Sequence, residues 1–293
     1  MKNKNMVFKS PLRTAEHFLA QVAGHQTGHG TYPSRVLLLA AHPDDETIGA
    51  SAVLGRIKDV DIVYLTDGAP RDPRFRSPHV SGSRDFYACV RAEEAASALA
   101  WAGISSSRIT FLGATDQESI YEVPALLECL VSLMTKLQPS VVITHPYEGG
   151  HPDHDTAALL ARMAARELQQ AGSDSFHLVE MTSYHARDGR RACGEFIPFS
   201  ARTNNGQAVL TLKLSSEERA RKARMLGCYL SQWHVLSEFP LEPERLRIAP
   251  LYDFTRPPHD GLLWYETLGW PLTGAQWREM AARTLRFDEM TCR

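Results

Sequence analysis

The chain has 293 residues, and its 32 Lys and Arg offset 34 Asp and Glu to leave a formal charge of −2. That balance excludes the basic excess demanded by nucleic acid or an anionic membrane surface, and 43% hydrophobic with 23% charged residues excludes a disordered chain. Cys89, Cys129, Cys193, Cys228 and Cys292 are scattered and never form a C-x-x-C pair, which excludes a disulfide framework and a cysteine zinc finger. They read as free thiols of a reducing compartment. No apolar run reaches the roughly 18 residues of a membrane span, and the first 25 residues lack a signal-peptide core, so a cytoplasmic location is expected.

In chain order, Leu12, Phe18, Leu19 and Val22 stand at helical spacing and predict a lead-in helix over 12–24. Residues 35–41 form a short, continuous apolar run, the pattern of a strand buried on both faces. Runs at 60–66, 108–112 and 140–144 repeat it. Helical stretches separate and follow them, at 46–58, 84–102, 122–137 and 153–170. Such alternation predicts an α/β fold: βαβ units, a mostly parallel sheet and helices on both faces. Ligands of such sheets bind at the carboxyl ends of the strands. Residues 67–83, with three prolines and two glycines, read as a long loop at a strand end, placed to cover a site. Farther along, 177–184 and 208–214 read as strands. Ser215 with Glu218 reads as a capping box opening a helix over 216–231. Residues 239–274 give no assignment. No linker is visible, so one domain over 1–293 is expected, with a core of about 35–185 and a β-containing C-terminal extension of about 186–293 packed on it.

Two His-Pro-Asp segments carry the chemistry: Ala41-His42-Pro43-Asp44-Asp45-Glu46 and Gly149-Gly150-His151-Pro152-Asp153-His154-Asp155. Each follows a predicted buried strand, which places both at one edge of the sheet. Imidazole and carboxylate together suit a borderline divalent metal such as zinc, and a catalytic zinc takes three protein ligands. His42, Asp45 and His154 supply such a set. Proline stiffens each turn and aims the flanking side chains above the sheet. Asp44, adjacent to a ligand, is placed to take a proton from water as general base. His151 is placed to stabilise the developing oxyanion or protonate the leaving group, with Asp153 holding its ring tautomer. His145 reads as a polar strand end.

These paired motifs resemble the PIG-L/LmbE-like family of zinc-dependent N-deacetylases, with specific matches over about residues 35–160. The resemblance implies a Rossmann-like fold and one zinc held by His42, Asp45 and His154. It also implies Asp44 as general base and His151 with Asp153 at the transition state. It extends to substrate contacts: Arg91 stands in an Arg-x-x-Glu pattern with Glu94, and Asp116 matches an acidic position that often contacts sugar hydroxyls. One departure is plain. In the mycothiol branch a tyrosine two residues before the second motif helps bind the oxyanion; here that position is Gly149, and Tyr147 is shifted.

The function expected is removal of an acetyl group from an N-acetylated amino sugar or its conjugate. The alternative at the same metal is hydrolysis of a larger amide, such as a thiol conjugate or N-acyl group. A sugar-binding protein with a structural metal is a further alternative. A nucleotide-binding module lacks its G-x-G-x-x-G loop, and a serine hydrolase lacks its G-x-S-x-G elbow. Trp101, Trp233, Trp264 and Trp270 are available to stack on sugars, and Tyr184, His185, Trp233 and His234 to line a pocket.

Overall fold

The computed structural model describes residues 11–24, 35–173, 176–198 and 208–291. Cys292 and the first ten residues lie outside them; Cys89, Cys129, Cys193 and Cys228 are free thiols. The apolar runs fold as β1 (Val36–Ala40), β2 (Val60–Thr66), β3 (Ile109–Ala114) and β4 (Val141–Thr144), joined by β5 (His177–Met181). These five strands are parallel, in the spatial order β3-β2-β1-β4-β5. The pleat sends alternate residues of β1 to opposite faces. Val36, Leu38 and Ala40 join a core beneath α1 (Pro11–Val22), α2 (Asp45–Arg56) and α3 (Arg84–Ala100). Leu37 and Leu39 join the opposite core beneath α4 (Val123–Leu137) and α5 (Pro152–Gln170). All five β1 residues are fully buried, which explains why the run carries no polar alternation. Each buried leucine contributes about 1.5–3 kcal/mol of transfer free energy.

The predicted strand over 177–184 is two strands. β5 ends at Met181, where Thr182 donates its N–H to the Arg245 carbonyl, and the chain leaves the sheet. β6 (Tyr184–Arg187) then pairs with β7 (Arg190–Cys193) as a separate hairpin. Its turn is Asp188-Gly189, both at positive φ (51° and 72°), the residue pair that a tight two-residue hairpin favours.

The C-terminal region completes the main sheet. β8 (Leu210–Leu212) leads to α6 (Ser216–Leu226), opened by the expected capping box of Ser215 and Glu218. A 3-10 turn and the short α7 (Trp233–Leu236) end the region predicted as one helix to 231. β9 (Glu244–Ile248) inserts antiparallel between β5 and β8. α8 (Gly274–Thr291) packs Trp277 and Ala281 into the core shared with α4 and α5. No described helix is long and apolar enough to cross a membrane.

Candidate active site

β1 and β4 are neighbours, and their carboxyl ends carry the two motifs. The first turn is locked locally. Asp45 Oδ2 accepts the His42 backbone N–H at 2.8 Å, and Asp44 N–H donates to the His42 carbonyl. The second is folded by Asp155, whose Oδ1 accepts the N–H groups of Glu148 and Gly149 at 3.2 and 3.0 Å. Gly149 sits at φ 67°, and a Cβ on Gly150 would lie 1.9 Å from the Tyr184 carbonyl oxygen. Gly150 is therefore dictated by the β6 backbone packed against the turn, and Gly149 by its left-handed backbone conformation.

His42, Asp45 and His154 meet. His42 Nδ1 lies 3.2 Å from Asp45 Oδ2, and His154 Nε2 lies 3.2 Å from Asp45 Oδ1. One ligand atom from each falls within 4.8 Å of the others. His154 Nε2 is buried and has no hydrogen-bond partner. Two imidazoles, one of them with an orphaned ring nitrogen beside the carboxylate, and that carboxylate form a donor set that fits a divalent cation such as zinc.

Burial works against charge on every group here, and the neighbours decide the outcome. It favours the neutral form of Asp45, but His154 and His145 outweigh it and hold that carboxyl well below the usual range. Burial pushes Asp44 up to about 7, opposed by Arg91, whose Nη2 donates to Asp44 Oδ2 at 3.1 Å. Burial also lowers His154 to about 4 and His151 well below its ordinary value. His42 is raised despite burial, because Asp116 and Asp153 face it.

Asp153 is placed differently from the expectation that its carboxylate holds His151. Its backbone N–H, not its carboxylate, donates to His151 Nδ1 at 3.1 Å; the carboxylate stands 3.7 Å from that atom. The carboxylate turns instead to His42 Nε2 at 3.1 Å. It is held there by Gln117 N–H at 2.6 Å and by the N–H and hydroxyl of Ser119 at 3.2 and 2.5 Å. The loop after β3 thus supplies donors that only the fold brings near. The Nδ1 contact leaves His151 with its proton on Nε2, facing the cavity.

Arg91 and Asp116 both line the cavity. The Arg91 guanidinium is committed in part to Asp44, while Asp116 lies 3.3 Å from His42 Nε2 and 3.8 Å from His151 Nε2. Glu94 faces elsewhere, accepting the Ser231 N–H and hydroxyl. His145 is more than a strand end. Its Nε2 accepts the Ala41 N–H at 3.1 Å, and its ring stacks on His154 at 3.9 Å between centroids. Tyr147 faces the opposite core, donating to the Arg256 carbonyl and stacking on Trp277. The cavity, about 370 Å³, is walled by Phe75, Tyr184, Phe239, Trp264 and Trp270, with His234 at its edge. Trp270 sets its ring 4.6 Å from His151. The 67–83 loop reaches it through Pro70, Arg74, Phe75 and Arg76. His185, Trp101 and Trp233 do not line it.

Known proteins resemble this chain in sequence and in fold. Residues 37–165 match the family model described as PIG-L, GlcNAc-PI de-N-acetylase. This stretch resembles the PIG-L family. Over 171 residues, 49% of this chain and 48% of the relative, the chain is 28% identical to a 1D-myo-inositol 2-acetamido-2-deoxy-alpha-D-glucopyranoside deacetylase of Catenulispora acidiphila. The chain spans about half the length of the curated relatives it matches. Its fold resembles the N,N'-diacetylchitobiose deacetylase of Pyrococcus horikoshii, with TM-score 0.53, 18% identity, and coverage of 84% of this chain and 95% of that one. It also resembles an A40926 pseudoaglycone deacetylase, with TM-score 0.52, 19% identity, and coverage of 76% and 100%. The PIG-L stretch contains both motifs and every predicted site residue.

Proposed function

We propose that the protein is a zinc-dependent N-deacetylase that removes acetyl from an N-acetylated amino sugar or its small conjugate. The observation that carries this reading is the meeting of His42, Asp45 and His154 beside Asp44 in a cavity at the carboxyl ends of β1 and β4. His42, Asp45 and His154 would hold a divalent cation, which when bound would supply Lewis acidity to polarise the amide carbonyl and lower the pKa of water. Asp44, tethered by Arg91, takes the proton of the attacking water. His151 donates from Nε2 to the acetyl oxygen as negative charge develops there. As the C–N bond breaks, the proton held by Asp44 passes to the departing amine, leaving acetate and the free amino sugar. Arg91 and Asp116 are offered as groups that also meet sugar hydroxyls, and the aromatic wall as the surface on which the sugar rests.

The same wall supports a second reading, an amide with a larger acyl group or a thiol conjugate, because Phe75, Phe239 and Trp270 present apolar area beside the reacting groups. The activity is proposed for one unit formed by the PIG-L stretch and the C-terminal region, acting in the cytoplasm. The test measures zinc per chain in purified protein and acetate release from N-acetylglucosamine derivatives, with and without chelator. About one zinc and chelator-sensitive acetate release are expected. Asp44→Asn is expected to keep its zinc and lose about 10²–10⁴-fold in kcat. Undiminished turnover in that variant removes Asp44 from the base role, and acetate release from none of the sugars favours the larger amide.

A further inference from the structure

The helix that carries Asp45 is broken, and a buried ion pair sits in the break. Inside α2, Ala50 leaves the helical region, with φ −142° and ψ 20°. In a continuous helix the Ala52 N–H would bond the Ile48 carbonyl. Here the Ala52 N–H donates to Glu244 Oε2 at 2.9 Å, and the Ile48 carbonyl accepts from Lys222 Nζ at 2.7 Å. Lys222 Nζ also bonds Glu244 Oε1 at 2.9 Å, closing the gap, and the Ser51 hydroxyl donates to the same oxygen at 2.5 Å. A carboxylate and an ammonium have been inserted as a matched pair between a helical donor and its acceptor. Side chains lodged in the hydrogen-bond ladder are a recognised cause of helix kinks.

Both side chains are about 98% buried, and both lie outside the PIG-L stretch, Lys222 on α6 and Glu244 on β9. A buried ion pair repays its desolvation poorly as stability; apolar residues of similar size often do as well. Geometry is what this pair fixes. The turn Asp45–Ile48 hangs from the break: Asp45 begins it, and Ile48, held by Lys222, ends it and lines the cavity. The neighbouring contact points the same way, since the Tyr229 hydroxyl bonds Glu46 Oε1 at 2.5 Å.

We propose that Lys222 and Glu244 are positioning residues for the metal: the C-terminal region wedges α2 open so that the Asp45 carboxylate meets His42 and His154. This rests on the metal reading above. Positioning groups behind metal ligands typically tune affinity by about 10–100-fold. The test uses the full chain and Zn²⁺ alone, with chelator competition to measure the dissociation constant and thermal unfolding of the metal-free protein as a control. Lys222→Met with Glu244→Gln removes both charges together, so no buried charge is left unpaired, while the Ile48 carbonyl loses its donor. The expected result is at least a tenfold weaker zinc dissociation constant with the fold retained. Zinc affinity within twofold of the parent, whatever happens to the melting temperature, overturns the proposal. Should the double variant fail to fold, the parent protein answers alone. Coupling is reciprocal, so zinc must favour the wedged helix. Hydrogen exchange at the Ser51 and Ala52 amides is expected to slow at least tenfold on zinc binding, and unchanged exchange overturns the proposal. A parent that takes up no zinc overturns the metal reading itself, which separates the two failures.

Discussion

Asp153→Asn gives the sharpest test of how the candidate site is held. The Asp153 carboxylate faces four donors: Ser119 N–H and hydroxyl on Oδ1, and Gln117 N–H and His42 Nε2 on Oδ2. An asparagine of the same shape has one acceptor oxygen. Whichever way its amide lies, the NH₂ end confronts two donors. Hydrogen bonds to a charged acceptor contribute about 1.5–3 kcal/mol each, so losing two costs roughly 3–6 kcal/mol of folding stability, less whatever the Ser119 hydroxyl recovers by rotating. The second consequence falls on His42, whose Nε2 loses its carboxylate while Nδ1 faces Asp45. Zinc affinity is expected to fall about 10–100-fold. Urea unfolding of the metal-free protein reads the first effect, and competition with a chromogenic chelator reads the second. An Asn variant that unfolds within 1 kcal/mol of the parent, roughly the worth of one ordinary hydrogen bond, and binds zinc equally well refutes the reasoning. A fall in kcat with zinc affinity intact would return Asp153 to the service of His151.

Gly150→Ala is expected to lose soluble expression or several kcal/mol of stability, because its Cβ meets the backbone oxygen of Tyr184 and no side-chain rotation relieves the clash; a melting temperature equal to the parent's contradicts this. Trp270→Ala is expected to raise KM for amino-sugar substrates severalfold with zinc content unchanged, since the ring forms cavity wall beside His151 and touches no predicted ligand of the cation. Glu218 gives a pH signature. Its hydrogen bonds from Arg56 hold the carboxyl at about 2, below the ordinary 4.5, so its stabilisation is full above about 4.5 and fades as pH falls toward 2. Partial exposure limits it to about 1 kcal/mol or less. The cost of Glu218→Gln in urea unfolding should therefore shrink between pH 7 and pH 3, and a cost that grows over that interval is inconsistent with the pairing.

What the chain reveals before folding divides along physical lines. The strands at 36–40 and 141–144 are legible because both faces are buried and nearly every residue is apolar. β9, with the sequence Glu-Arg-Leu-Arg-Ile, gives no such signal, because Glu244 and Arg247 are buried as ion-paired groups and imitate a surface segment. The histidine and aspartate pairs at the two turns are legible from spacing. Their partners are not: the donors that fix Asp153 are backbone groups of residues 117 and 119, and the acceptor for Lys222 is a carbonyl inside another helix. His145 reads as an ordinary strand end until its ring is seen stacked on His154.

The topology itself accounts for a centre crowded with carboxylates. β1 and β4 are adjacent, yet the chain leaves them for opposite faces, α2 joining one core and α5 the other. The crossovers diverge and open a cleft between the first turns of two helices, the place where doubly wound sheets hold ligands. Both helices present their amino ends to that cleft, and each end carries partial positive charge. Asp45 opens α2, and Pro152-Asp153 opens α5, so these acids stand where helix dipoles and unpaired N–H groups favour the anion. The cost of gathering Asp44, Asp45, Asp116 and Asp153 is thereby met in part by the backbone and in part by Arg91 and the histidines. The remaining demand, a positive charge facing Asp45 and the orphaned nitrogen of His154, is one that a divalent cation would fit, and the sheet order puts that place between β1 and β4.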